Sequence, residues 1–212
     1  MTTTTQRFRQ PITTIDELRA IIAPPREAAL RKQISALDEH CRDFIARSPF
    51  VFLATASAAG DCDVSPKGDA PGFVHVLDDH TLVIPDRRGN QRLDSMQNII
   101  ENPHIGLIFI IPGVEWTLRV NGRAQLVRDD NIREDLAGQG VVPELAIAVE
   151  VEEAFLHCPK CFLRAKLWDT EEWMPREDHP SFAAILKAQT KYDEVPVEAI
   201  ARALAADEKN LY

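Results

Sequence analysis

Between residues 50 and 156 the chain is a series of short apolar runs, each closed by a turn, with one helical pattern set among them. Nothing else in the sequence constrains the fold as strongly. Residues 50–56 form the first run, Ala58-Ala59-Gly60-Asp61 a turn, and Cys62-Asp63-Val64-Ser65-Pro66 resumes extended chain. Residues 73–77 and 80–84 read as two further strands about an Asp78-Asp79 turn. Residues 104–111 and 116–127 follow, separated by Pro112-Gly113. In residues 145–156, Ile147, Val149 and Val151 alternate with Ala146, Ala148 and Glu150, which closes the set. Parallel neighbours need a crossover connection, and these turns are too short for one, so the pairing is expected to be antiparallel. With a single helix inside this region, the pattern argues against a doubly wound nucleotide fold, and a small barrel or sandwich is expected.

The helical pattern lies in residues 82–103, LVIPDRRGNQRLDSMQNIIENP. Pro85 is expected to stop the preceding strand. Asp86-Arg87-Arg88-Gly89-Asn90-Gln91-Arg92 then places three arginines in one short segment. Asn90 reads as the helix N-cap, with Leu93, Met96, Ile99 and Ile100 at helical spacing. Asn102-Pro103 predicts an end near Glu101. Guanidinium forks would thus meet a helix N-terminus, whose unpaired N–H groups and positive dipole end suit a phosphate. A solvated basic turn is the competing reading.

Charge narrows the ligand class. The 212-residue chain carries a net charge of −9, which argues against general nucleic-acid binding, since that rests on many Lys/Arg–phosphate contacts. A local basic pocket on an acidic protein fits a small anionic ligand. No apolar run approaches the roughly 18 residues of a membrane span, and MTTTTQRFRQ lacks a signal-peptide core, so a cytoplasmic protein is expected. Cys41, Cys62, Cys158 and Cys161 are then thiols or ligands rather than a disulfide framework.

The flanks are helical in pattern. Residues 1–12 read as an arm, Thr14-Ile15-Asp16-Glu17 as a capping box opening a helix to about Ile22, and residues 26–47 as one amphipathic helix. Helices are also expected near residues 130–137, 159–168, around Phe182–Leu186 and around Val197–Leu204. His157-Cys158-Pro159-Lys160-Cys161 allows a redox dithiol, three ligands of a zinc site, or a buried cysteine pair. Arg119 sits among apolar residues of a strand. It needs an anionic partner if it faces inward, and faces solvent if Leu118 and Val120 are core. Ser65-Pro66-Lys67-Gly68 interrupts a strand, which frees backbone N–H groups or marks a bulge. Ser-His-Asp, HExxH, GxSxG and Walker patterns are absent.

Four blocks together resemble the pyridoxamine 5′-phosphate oxidase-like FMN-binding split barrels over residues 48–128. They are Asp63-Val64-Ser65-Pro66-Lys67-Gly68, the segment from Ile84 to Ser95, Asn102-Pro103-His104-Ile105-Gly106-Leu107-Ile108-Phe109, and Leu118-Arg119-Val120-Asn121-Gly122-Arg123-Ala124. His157-Cys158-Pro159-Lys160 with Arg164 and Leu167-Trp168 resembles the tail of one bacterial subfamily. The resemblance implies a mainly β, α+β fold built on a six-stranded antiparallel split barrel. It also implies a homodimer with FMN at the subunit interface. The barrel would span residues 48–157, with an N-terminal helical segment (1–47) and a C-terminal one (158–212) completing site and dimer.

By the same resemblance Arg88, Asn90 and Arg92, joined by Arg87, hold the flavin phosphate, Asp86 counts among the cofactor-binding residues, and Ser65, Pro66, Lys67 and Gly68 border the isoalloxazine ring. Arg119 joins the cofactor-binding set, and His157, Lys160, Arg164 and Trp168 reach the site from the other subunit. The vitamin B6 oxidases carry Arg-x-Val-Leu-Leu-Lys where this chain has Ser65-Pro66-Lys67-Gly68. What carries over is therefore the reaction class: flavin-dependent hydride transfer with a small-molecule substrate or nicotinamide donor. A non-catalytic flavin binder and a zinc or dithiol protein using His157, Cys158 and Cys161 remain as alternatives.

Overall fold

The structure is a computed structural model and describes residues 7–212. It divides into two compact units, one ending at Gln33 and one spanning Ile34–Tyr212. The first contains α1 (Ile15–Ile21) and α2 (Glu27–Arg31), and none of the residues in either helix is buried. The expected capping box is present. Glu17 N–H donates to Thr14 Oγ1 at 3.2 Å, and Thr14 N–H donates to Glu17 Oε2 at 3.1 Å. The part of the expected arm before Arg7 lies outside the described residues.

The single helix expected over residues 26–47 is instead two. Ile34 exchanges backbone hydrogen bonds with Ala154 in both directions, at 3.0 and 2.8 Å, which is β geometry and incompatible with a continuous helix. A new helix, α3 (Glu39–Arg47), then starts behind Asp38, whose side chain accepts from Cys41 N–H at 2.8 Å.

The second unit is built on one antiparallel sheet of β1 (Phe50–Ala56), β2 (Cys62–Gly68), β3 (His75–Asp78), β4 (Thr81–Pro85), β5 (His104–Ile110), β6 (Thr117–Val127) and β7 (Ala146–His157). Between β4 and β5 lies α4 (Asp94–Glu101), and between β6 and β7 lies α5 (Asp130–Asp135). The order across the sheet is β2-β1-β5-β6-β7-β4-β3. Antiparallel pairing is thus as expected, but there are seven strands rather than six, and hydrogen bonding does not close the sheet. Its two edges are poor templates for pairing: β2 contains Pro66, which has no N–H, and β3 is only four residues long. Pro85, expected to stop β4, is instead its last paired residue, opposite Ala146.

The core lies on one face of this sheet. Val51 and Leu53, Leu107 and Phe109, Leu118 and Val120 alternate inward, and Cys41 and Ile45 of α3 and Ile99 of α4 cover them. Burial pushes the Cys41 thiol up to about 12, so it stays a neutral core side chain. Between Asn121 and Gly122 the β6–β7 register shifts by a bulge. A Cβ on Gly122 would lie 2.0 Å from the Glu150 carbonyl oxygen, so only glycine fits. After β7 come α6 (Lys160–Ala165), two short 3-10 turns, α7 (Phe182–Thr190) and α8 (Val197–Asp207). No helix among the described residues is long and apolar enough to cross a membrane.

Candidate functional site

A cleft of about 490 Å³ opens where the two ends of the sheet approach each other. One wall is β2, an edge strand, and the other is the segment leaving β4, which is second from the opposite edge. Its volume falls within the usual range of ligand sites. Ser65, Pro66, Lys67, Asp86, Arg87, Arg88, Asn90 and Arg92 all line it, so eight of the residues singled out in the sequence come together.

Two side-chain contacts fix the far wall. Ser95 Oγ donates to Asp63 Oδ2 at 2.6 Å, and Asn98 Nδ2 donates to Thr55 Oγ1 at 3.1 Å. With Met96 and Ile99 buried, these contacts hold α4 against the β1–β2 hairpin. Asn90 is not the N-cap. Its side-chain oxygen accepts from Arg92 N–H at 3.0 Å in a turn of its own. Gln91 and Leu93 then take left-handed backbone conformations, with φ of 59° and 63°. These reversals delay the helix by three residues and put Leu93 in the capping position, where no side chain accepts from the first turn. A left-handed non-glycine residue costs roughly 1–2 kcal/mol, and such strain concentrates at functional turns. The uncapped N–H groups of the first turn are retained beside the cleft, which Leu93, Asp94, Ser95 and Met96 also line.

The three arginines differ in their partners. Arg87 is largely buried: its Nε donates to Asp69 Oδ2 at 2.6 Å, its Nη2 to the Leu136 carbonyl at 2.9 Å, and its guanidinium lies 5.7 Å from the Tyr212 ring centre. Arg88 Nη1 reaches the side-chain oxygen of Asn210 at 2.8 Å, with that amide turned so that its nitrogen donates to the Tyr212 carbonyl. Arg92 is exposed, and its Nε donates to Asp94 Oδ2 at 2.7 Å. Burial pushes the Asp86 carboxyl above its ordinary value, against the opposing fields of Lys67 and Arg87. Burial alone would also raise Asp69. There the Tyr212 hydroxyl, the Ala70 N–H and Arg87 together outweigh it and hold the carboxyl below its ordinary value.

The remaining residues of the expected set lie elsewhere in this chain. Gly68 lines a neighbouring cavity of about 450 Å³, which shares Arg87, Arg88 and Gly89 with the cleft. Arg119 is on the sheet face opposite the core, since Leu118 and Val120 are buried, and its guanidinium lies 5.3 Å from the Phe155 ring centre. His157 sits opposite Thr117 in the β6–β7 ladder, its ring 5.2 Å from that of Phe155. Trp168 Nε1 donates to the Val114 carbonyl at 3.0 Å, and Lys160 and Arg164 are exposed on α6. Cys158 and Cys161 are exposed free thiols, not a buried pair. No group of three or more His, Cys, Asp or Glu residues among those described is placed to hold a metal ion.

The sequence reading missed Asp63 and Ser95, and it missed the Asp69–Arg87–Tyr212 cluster. Asp63 stood one strand alternation from Ser65, which was a usable signal. Tyr212 pairs with a residue 143 positions away, and no local pattern carries that information.

The family model for pyridoxamine 5′-phosphate oxidase matches residues 37–158, more than half the chain, and the chain belongs to that family. Among solved structures, HupZ of Group A Streptococcus is 21% identical, with 56% of this chain and 92% of that one covered and a TM-score of 0.47. The general stress protein 26 of Bacillus anthracis gives 13% identity, coverage of 55% and 93%, and a TM-score of 0.41. An FAD binding protein from Mycobacterium smegmatis gives 16% identity, coverage of 58% and 97%, and a TM-score of 0.41. Comparison with curated proteins gives no match.

Proposed function

We propose that the protein is an FMN-dependent oxidoreductase acting on a small molecule, with the flavin phosphate held at the arginine turn. The observation that carries this reading is the uncapped N-terminus of α4 opening beside Arg88, Arg92 and Lys67 in one cleft. These residues fit a phosphate. N–H groups without a side-chain acceptor, a positive dipole end and two guanidinium groups with only surface partners converge on one volume. Arg87 is committed to Asp69 and Leu136, so its part is to anchor the turn rather than to grip the ligand.

When bound, the flavin supplies hydride transfer at N5. The chain's own residues bind and orient. Arg88, Arg92 and the first turn of α4 hold the phosphate. Ser65, Pro66 and Lys67 border the ring from β2. Asp86, half-buried opposite Lys67, is the carboxyl in the cleft best suited to keep a proton.

The reading includes a homodimer. The sheet face opposite the core carries Phe50, Phe52, Val64, Pro66, Ile108 and Ile110 in register, with Phe52 39% and Val64 63% exposed. A contiguous apolar patch of this kind is expected to be covered by a partner. A second copy would also bring His157, Lys160, Arg164 and Trp168 toward a cleft they do not reach in their own chain. The test is the visible spectrum of the purified protein with identification of the released cofactor, followed by rapid reduction with NAD(P)H. A colourless protein that binds no added FMN overturns the reading. A flavin that is bound but never turned over makes the protein a carrier.

A further inference from the structure

The turn that presents Arg88 is braced from behind by residues distant in sequence. Asp69, immediately after β2, has a nearly buried carboxylate that accepts from three groups: Arg87 Nε at 2.6 Å, Ala70 N–H at 2.7 Å and the Tyr212 hydroxyl. Arg87 continues the chain of contacts to the Leu136 carbonyl. Asn210, two residues before Tyr212, holds Arg88. Space for this cluster depends on Gly138, where a Cβ would lie 2.7 Å from Tyr212 Cε1 and 2.8 Å from Arg87 Nη2. Asp207, Glu208, Asn210, Leu211 and Tyr212 thus line a cavity on one side of the Arg87–Gly89 turn, while the turn also lines the cleft.

We infer that Asp69 and Tyr212 are positioning residues for the anion site, acting through Arg87 to fix the turn that aims Arg88. The inference rests on the proposed phosphate site and deepens it. The Tyr212 hydroxyl orients the Asp69 carboxylate, and Asp69 fixes the plane of the Arg87 guanidinium. Arg87 in turn joins the turn after β4 to the end of α5, which leaves the 86–89 backbone little freedom. A preorganised guanidinium loses less freedom on binding its anion, so the relay sets affinity without touching the ligand.

The test compares FMN with riboflavin, which lacks the phosphate, by equilibrium titration of the full chain. Tyr212→Phe keeps the ring and removes only the hydroxyl. It is expected to weaken FMN roughly threefold to tenfold, the span of one net hydrogen bond, and to leave riboflavin unchanged. Asp69→Asn should move the FMN-to-riboflavin affinity ratio further in the same direction. A purely structural role would lower both affinities together. Arg88→Ala is the control. If it lowers the ratio while Tyr212→Phe and a folded Asp69→Asn leave it unchanged, the positioning role is overturned and the phosphate site stands. If Arg88→Ala also leaves the ratio unchanged, both fall.

Discussion

Arg87 and Arg92 stand five residues apart in one motif, and each is paired with an aspartate. At Arg87 the side chain is 17% exposed and its partner Asp69 6%. At Arg92 the figures are 71% and 42% for Asp94. The first pair is sealed among Leu136, Gly138 and Tyr212, so removing either member leaves a desolvated charge. The second lies in water, where exposed pairs contribute little, and its guanidinium can leave Asp94 for a ligand at small cost. A basic cluster read from sequence as one phosphate grip therefore divides by burial into a sealed arginine and an exposed one, which the proposed function takes as anchor and grip.

The largest expected effect tests the anchor. Arg87→Ala should destabilise the protein by about 3–5 kcal/mol in chemical denaturation, the usual cost of breaking a buried pair from one side. A loss under about 1 kcal/mol would erase the contrast with Arg92. The pH dependence sharpens the same point. Asp69 is held below its ordinary value of 3.8, so its contribution is present above that pH and lost as pH falls through the lower folded value. The stability difference between the native chain and Asp69→Asn should accordingly shrink below pH 3.8. Asp86 has the opposite sign. Its carboxyl is raised, so the fold loses stability as pH rises from 3.8 through the raised value, and Asp86→Asn should abolish that part of the profile.

The grip comes next. Arg92→Ala should leave the chemical denaturation midpoint unchanged while weakening FMN roughly 10- to 100-fold and leaving riboflavin alone. Equal losses for both ligands would place Arg92 with the anchor. Two glycines extend the comparison beyond charge. Gly138→Ala would drive a methyl group into Tyr212 and Arg87 and should cost about 1–3 kcal/mol. Gly89→Ala, whose Cβ would meet nothing closer than 3.9 Å, should stay within about 0.5 kcal/mol. The smallest effect is expected at the tail motif. The double replacement Cys158→Ser and Cys161→Ser should retain flavin binding, because both thiols are exposed and neither lines the cleft. Loss of colour together with loss of bound zinc would restore the metal reading.

The sequence by itself determined what depends on short-range pattern. Apolar alternation with short turns specified antiparallel strands, because side chains must reach opposite faces at each residue and tight turns permit no crossover. The arginine cluster between strand and helix located the cleft. What depends on long-range closure was not legible. Asn90 is a good capping residue, yet its side chain bonds to Arg92 N–H and the helix starts behind a left-handed Leu93. An Asn offers the same oxygen to either partner, and the path of the whole turn decides between them. The 26–47 pattern is amphipathic throughout, yet Ile34 leaves it for a β bridge to Ala154. The count of seven strands and their open ends followed from which hairpins joined which edges, a choice that involves residues far apart in the chain. The difference in burial between the arginines belongs to the same class. Arg87 and Arg92 have the same charge, and only the tertiary structure, by placing Asp69, Gly138 and Tyr212 around one and water around the other, decided which is sealed and which is exposed.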